Sequence, residues 1–140
     1  MFGRRRNATV DDSIAMQVSV PGGPAWEIPD EWWAFSEMDQ FERDGRRCFN
    51  SDPDGVDELV EIQFVEPPVR SPGVAPFKKA RLVPILMGIV SSSPMPPIKA
   101  CRLPASGKYR FRLYDGFHRF YASVAAGFPM IPIKVLNDCE

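Results

Sequence analysis

Along residues 109–136 the spacing of apolar side chains changes character in a way that defines three elements in a row. Tyr109, Phe111 and Leu113 alternate with Arg110, Arg112 and Tyr114, the period of a half-buried strand. Asp115-Gly116 then turns the chain. Asp-Gly is also a strong hairpin signal, but the residues after it reject a hairpin. Phe117, Phe120, Tyr121, Val124 and Ala125 fall at i, i+3, i+4, i+7 and i+8, the apolar stripe of an amphipathic helix. Gly127 is a natural C-terminal stop, with Pro129 two residues beyond. Ile131 to Leu136 supplies a β-branched second strand, with Pro132 near its start. The stripe places His118 and Arg119 off the buried face, free to point at a ligand.

The first 55 residues read differently. Met16 to Val20 predicts a short strand, broken by Pro21-Gly22-Gly23-Pro24. Pro29-Asp30-Glu31 opens a helix, since proline and acids are both favoured in a first turn. Trp32, Phe35, Met38 and Phe41 give it one apolar face, and Gly45 ends it. Residues 50–55 (NSDPDG) form a loop and the best internal boundary. The chain therefore divides into an elaboration over 1–55 packed on a core over 56–140. Trp32 and Trp33 could offer a protein partner a binding face, although aromatics at helical spacing more often pack inside.

Composition narrows the function classes. A chain of 140 residues, 44% hydrophobic, is long enough for one well-formed core. With a net charge of −1, no overall field steers it to nucleic acid or an anionic membrane. The cations are clustered: Arg4-Arg5-Arg6, read as a frayed basic N-terminus; Lys78, Lys79 and Arg81; and Lys108, Arg110, Arg112 and Arg119. No apolar run follows the N-terminal arginines, since Asn7 to Asp12 is polar, so a secretory leader is not expected. No segment has the ~20 apolar residues of a membrane span, and a cytoplasmic location is expected. The three cysteines suggest neither a disulfide framework nor a Cys-x-x-Cys metal site, and a single histidine argues against conventional zinc.

Candidate chemistry concentrates at residues 115–119. A helix N-terminus already carries about half a positive charge, so opening one with His118-Arg119 makes sense if an anion docks there. A solvated first turn in which the two are merely adjacent is the alternative. On the phosphate reading, Gly116 lets the backbone approach the ligand closely, because no Cβ intervenes. Arg119 clamps oxygens bidentately, and His118 donates another bond with a pKa that rises beside a phosphate dianion. Asp115 either caps the helix or helps to hold Mg²⁺.

The motif Asp115-Gly116-Phe117-His118-Arg119 resembles that of the ParB/sulfiredoxin superfamily, and is closest to the Asp-Gly-His-His-Arg form of its ParB-like serine kinases. The flanks fit as well. Leu82 to Val90 stands where the superfamily has a helix, followed by a Ser-Pro loop, and Pro96-Pro97-Ile98-Lys99-Ala100 matches its Pro-Ile strand. Glu61 to Val69 stands where the first strand is expected. The resemblance covers about residues 58–136. It implies a compact α/β (α+β) fold with a mixed sheet and packed helices, binding ATP or a related nucleotide with Mg²⁺, and hydrolysis. It further implies a catalytic Glu near Glu66, with Glu61 competing, and nucleotide contacts from Lys79 and its neighbour Lys78.

Departures from the family pattern shape the expectation. Sulfiredoxins need a Cys thiolate immediately before the His, and Phe117 stands there, so sulfinic-acid reduction is not expected. Partitioning proteins carry a helix-turn-helix region after this domain, whereas this chain ends at Glu140, so operator binding is not expected either. The tail-less organisation resembles plasmid fertility-inhibition proteins that block conjugative or T-DNA transfer. Two alternatives remain open: a metal-dependent DNase using the same pair on non-specifically bound DNA, and a non-catalytic protein-binding module.

Overall fold

A computed structural model describes residues 3–6, 15–137 and 139. The fold is α+β. Strands β1 (Gly3–Arg6), β2 (Ala15–Ser19) and β3 (Ala25–Pro29) form an antiparallel sheet in that order. Helix α1 (Asp30–Phe35) follows. A second sheet contains β4 (Glu58–Glu61), β5 (Val65–Glu66), β6 (Ile98–Arg102), β7 (Phe111–Asp115) and β8 (Met130–Leu136). Its order is β4-β8-β6-β7-β5, with parallel pairing at β6–β8 and β5–β7 and antiparallel pairing elsewhere. Helices α2 (Lys79–Ser91) and α3 (Phe117–Ala126) complete the molecule. No helix among the described residues is long and apolar enough to cross a membrane.

Local sequence explains most of these elements. In α3, Gly127 adopts the left-handed conformation (φ +86°), and Gly127 and Phe128 donate to the last carbonyls, which ends the helix. Pro97 precedes β6, and Pro132 sits in β8 at a register position opposite Leu59. One cluster of buried side chains joins both halves of the chain: Val18, Ile28 and Trp33 with Leu82, Ile98, Phe120 and Ile131.

Several expectations need correction. The helix expected to run from Pro29 to Gly45 stops at Phe35. The Ser36 hydroxyl donates to the carbonyls of Trp32 and Trp33, and Glu37 turns left-handed at φ +68°. A single 3₁₀ turn (Met38–Gln40) follows. The helix therefore buries Trp33, leaves Trp32 half-buried and exposes Phe35, so Trp32 and Trp33 do not form an exposed face for a protein partner.

The strand expected over Glu61 to Val69 is broken into β4 and β5 by a 3₁₀ turn, Ile62–Phe64. Pro67-Pro68 then prevents β5 from continuing, because proline brings no ladder donor. Arg4 to Arg6 are not frayed but pair with Met16 to Val18 as β1. Asn7 to Asp12 lie outside the described residues.

The cysteines also differ from expectation, for Cys101 and Cys139 are disulfide-bonded. Spacing could not show this, and strand register only brings the two near: Cys101 on β6 stands opposite Leu136 on β8, three residues before Cys139. Cys48 is free.

Candidate functional site: a cationic cleft at the head of α3

The C-terminal end of β7, the start of α3, the loop before α2 and the first half of α2 enclose a cleft of about 890 Å³. Among the described residues its lining contains four cationic side chains, Arg70, Lys78, Arg81 and Arg119, and one carboxylate, Asp115. His118, Phe117 and Gly116 complete the wall at the α3 end, while Pro84, Ile85, Met95, Pro96 and Leu113 supply apolar surface. The motif residues 115–119 therefore do face a single cavity. Lys78 lines it and Lys79 does not. Arg81 belongs to a cationic cluster visible in the sequence, whereas Arg70 carries no sequence signal that marks it as a ligand.

His118 is placed differently from expectation. It does not project freely but is buried, 7% exposed, and its Nε2 accepts a bond from the Lys78 backbone N–H at 3.1 Å. That bond ties the start of α3 to the start of α2. It also fixes the tautomer: with Nε2 accepting, the ring proton lies on Nδ1. Burial, and then the charges of Arg70, Arg81 and Lys78, lower its pKa to about 4. At neutral pH the imidazole is thus uncharged, and its one basic nitrogen is occupied.

This placement predicts a pH dependence. The folded-state pKa lies below the unfolded value of ~6.5, so the native state holds fewer protons in the interval between them. Stability from this group is complete above the unfolded pKa and is lost as pH falls towards about 4. Urea titrations at about pH 7.5 and about pH 4.5 should show wild type losing about 2–3 kcal/mol more than His118→Gln. Equal losses in the two proteins would show that His118 titrates normally.

Arg119 is half-buried and donates to the Pro96 carbonyl at 3.2 Å. Burial lowers its pKa, with the Asp115 carboxylate opposing that shift. Asp115 does not cap α3: Gly116 occupies the cap position, and the cap makes no side-chain hydrogen bond. Asp115 remains exposed as the last residue of β7.

Gly116 meets a packing demand as well, independent of any ligand. Its φ is +124°, and an added Cβ would lie 2.7 Å from Ile98 Cγ2 and 3.0 Å from Ile98 Cβ. Its missing side chain makes room for β6.

Glu66 is not brought to the cleft. Its carboxylate accepts from Arg112 Nε at 2.7 Å, a pairing set by the β5–β7 register, which puts the two residues opposite each other. It lines a smaller hollow with Pro67 and Tyr109. Glu61 lies on β4, at the opposite edge of the sheet from β5. Among the described residues no group of three or more His, Cys, Asp or Glu could hold a metal ion. Among the described residues Asp115 is the one carboxylate in the cleft, and with these residues Mg²⁺ fits there only with most of its ligands coming from phosphate and water.

Comparison with protein-family models, with curated proteins and with solved structures found no match for this chain.

Proposed function

We propose that the cleft binds a nucleoside polyphosphate of the ATP class, with the phosphates among Arg70, Lys78, Arg81 and Arg119 and any Mg²⁺ carried on the phosphate oxygens. The observation that carries this reading is charge. Among the described residues four cationic side chains share the cavity with a single carboxylate. Such an excess fits a ligand that gathers several negative charges within one small cavity, as a polyphosphate chain does, better than a single isolated phosphodiester. The superfamily resemblance of residues 115–119 points the same way, as does a volume within the ~300–1,000 Å³ of small-molecule sites.

Of the residues facing the cleft, Arg119 supplies a bidentate donor and neutral His118 supplies an Nδ1–H. His118 is not suited to act as a general base, because taking a proton on Nε2 would break its bond to Lys78. If the bound nucleotide is hydrolysed, Asp115 is the carboxylate in the cleft able to orient water.

Calorimetry with ATP, ADP, CTP and GTP, with and without Mg²⁺, tests the proposal. ATP should bind wild type, and Arg119→Ala should weaken it by roughly one to two decades, the loss expected for a charge-assisted contact of ~1.5–3 kcal/mol. Asp115→Asn should retain affinity and lose whatever turnover wild type has. Absence of binding to wild type at millimolar nucleotide would overturn the reading.

A further inference from the structure

Phe117 stands at the head of α3 next to His118, and its ring is held by four aromatic neighbours. Tyr121, His118, Phe77 and Trp26 have ring centroids 5.1, 5.6, 5.9 and 6.3 Å away. On this ring rests the guanidinium of Arg70, with Cζ 3.8 Å from the centroid. Arg70 Nε also donates to the Pro76 carbonyl at 3.4 Å, so the side chain is held from two sides. No ion pair of Arg70 with a carboxylate is found among the described residues. Arginine carries several donors in a planar fork, and stacking on an aromatic face leaves the outward edge of that fork available.

We propose that Arg70, preorganised on the Phe117 ring, is a primary phosphate ligand of the cleft, and that Phe117 is the residue that positions it. The inference rests on the polyphosphate reading above and adds a ligand and a positioning residue outside the His118-Arg119 pair. The two cationic groups at the head of α3 have different surroundings. Arg119 spends a donor on Pro96 and has Asp115 beside it, whereas Arg70, with Lys78 and Arg81, makes the field that acts on His118. Among the described residues the uncompensated charge therefore lies on the Arg70 side, where an anion gains most. A long, unrestrained arginine loses rotamer entropy on capturing a ligand, and a ring that already holds it reduces that loss.

The experiment uses inorganic tripolyphosphate and ATP as probes on the full chain, read by calorimetry. The single histidine serves as a second reporter through its imidazole NMR signals. Arg70→Gln should weaken both probes about tenfold or more and move the His118 pKa upward, because a neighbouring cation is removed. Phe117→Leu should reproduce much of that weakening, and Phe117→Tyr should bind as wild type. The Arg70→Gln/Phe117→Leu double variant should be little worse than Arg70→Gln alone, since the ring acts through the arginine.

Circular dichroism melts confirm that each variant is folded. If Phe117→Leu is folded and binds as wild type while Arg70→Gln does not, the positioning role is wrong. Should Arg70→Gln bind both probes like wild type, Arg70 is not a ligand, and the polyphosphate reading stands without it. Failure of wild type to bind either probe removes the reading and this inference together.

Discussion

Phe120→Ala is expected to destabilise the protein by about 3–5 kcal/mol, the loss typical of deleting a buried phenyl ring. Phe120 is fully buried, sits on the apolar stripe of α3 and meets the ring of Tyr121 edge-on at 4.9 Å. Its neighbour Arg119 is half-buried and gives the fold one bond to Pro96, so Arg119→Ala should cost stability by only about 0.5–1.5 kcal/mol. Adjacent residues should therefore separate cleanly: one change lowers the denaturation midpoint strongly, and the other acts mainly on nucleotide affinity. Urea titration of both variants, with ATP affinity measured per folded molecule, makes the comparison. An Arg119→Ala protein that loses as much stability as Phe120→Ala and keeps its affinity would make Arg119 a structural residue.

The same helix shows how much could be read from sequence. Its limits, its stripe and its flanking strands follow from apolar spacing, Gly127 and the β-branched run, all of them local signals. The burial of His118 was not legible from that stripe, because a period of 3.6 assigns one buried face and assumes that the other meets water. In α3 the residues from Phe120 to Ala126 are all buried. Ala122, Ser123 and Ala126 lie off the expected stripe, and their small size is the signal that another element approaches there closely. That element includes α2, whose start meets His118 through Lys78.

The cleft was legible where it depends on chain neighbours and not where it depends on tertiary contact. Residues 115–119 share it because they share one turn. Arg70 comes from a proline-rich loop with no periodic pattern, and nothing local announces that it will stack on Phe117. Glu66 was placed by the family's general layout alone, and the register of a two-residue strand decides instead that it meets Arg112. In α1, likewise, the apolar spacing suggested a long helix. A buried serine that bonds back to two carbonyls shortens it, and this shifts the buried face from Trp32 and Phe35 to Trp33.

Gly116→Ala is expected to destabilise the fold by about 2–5 kcal/mol, with two causes acting together. A side chain at φ +124° is strained wherever it points, and this one would point at Ile98, which is fully buried between β7 and β8. Because Cγ2 of Ile98 is the nearest atom, Ile98→Ala should relieve part of the clash. A double-mutant cycle should then show the pair to be less destabilising than the two single changes added, by roughly 1–2 kcal/mol. The unrelieved remainder reports the backbone strain, since the left-handed conformation persists and the Ile98 Cβ stays at 3.0 Å. This outcome assigns the glycine to packing between α3 and β6. A Gly116→Ala protein as stable as wild type that has lost ATP binding would instead assign it to the phosphate, as the sequence pattern suggests. The distinction matters for the cleft itself, because the same missing Cβ would lie 3.3 Å from an Arg119 guanidinium nitrogen. Moving that guanidinium aside would weaken the nucleotide binding proposed for the cleft as a consequence of the packing defect. For this reason affinity must be compared between Gly116→Ala and the double variant: recovery of binding alongside stability identifies packing as the cause.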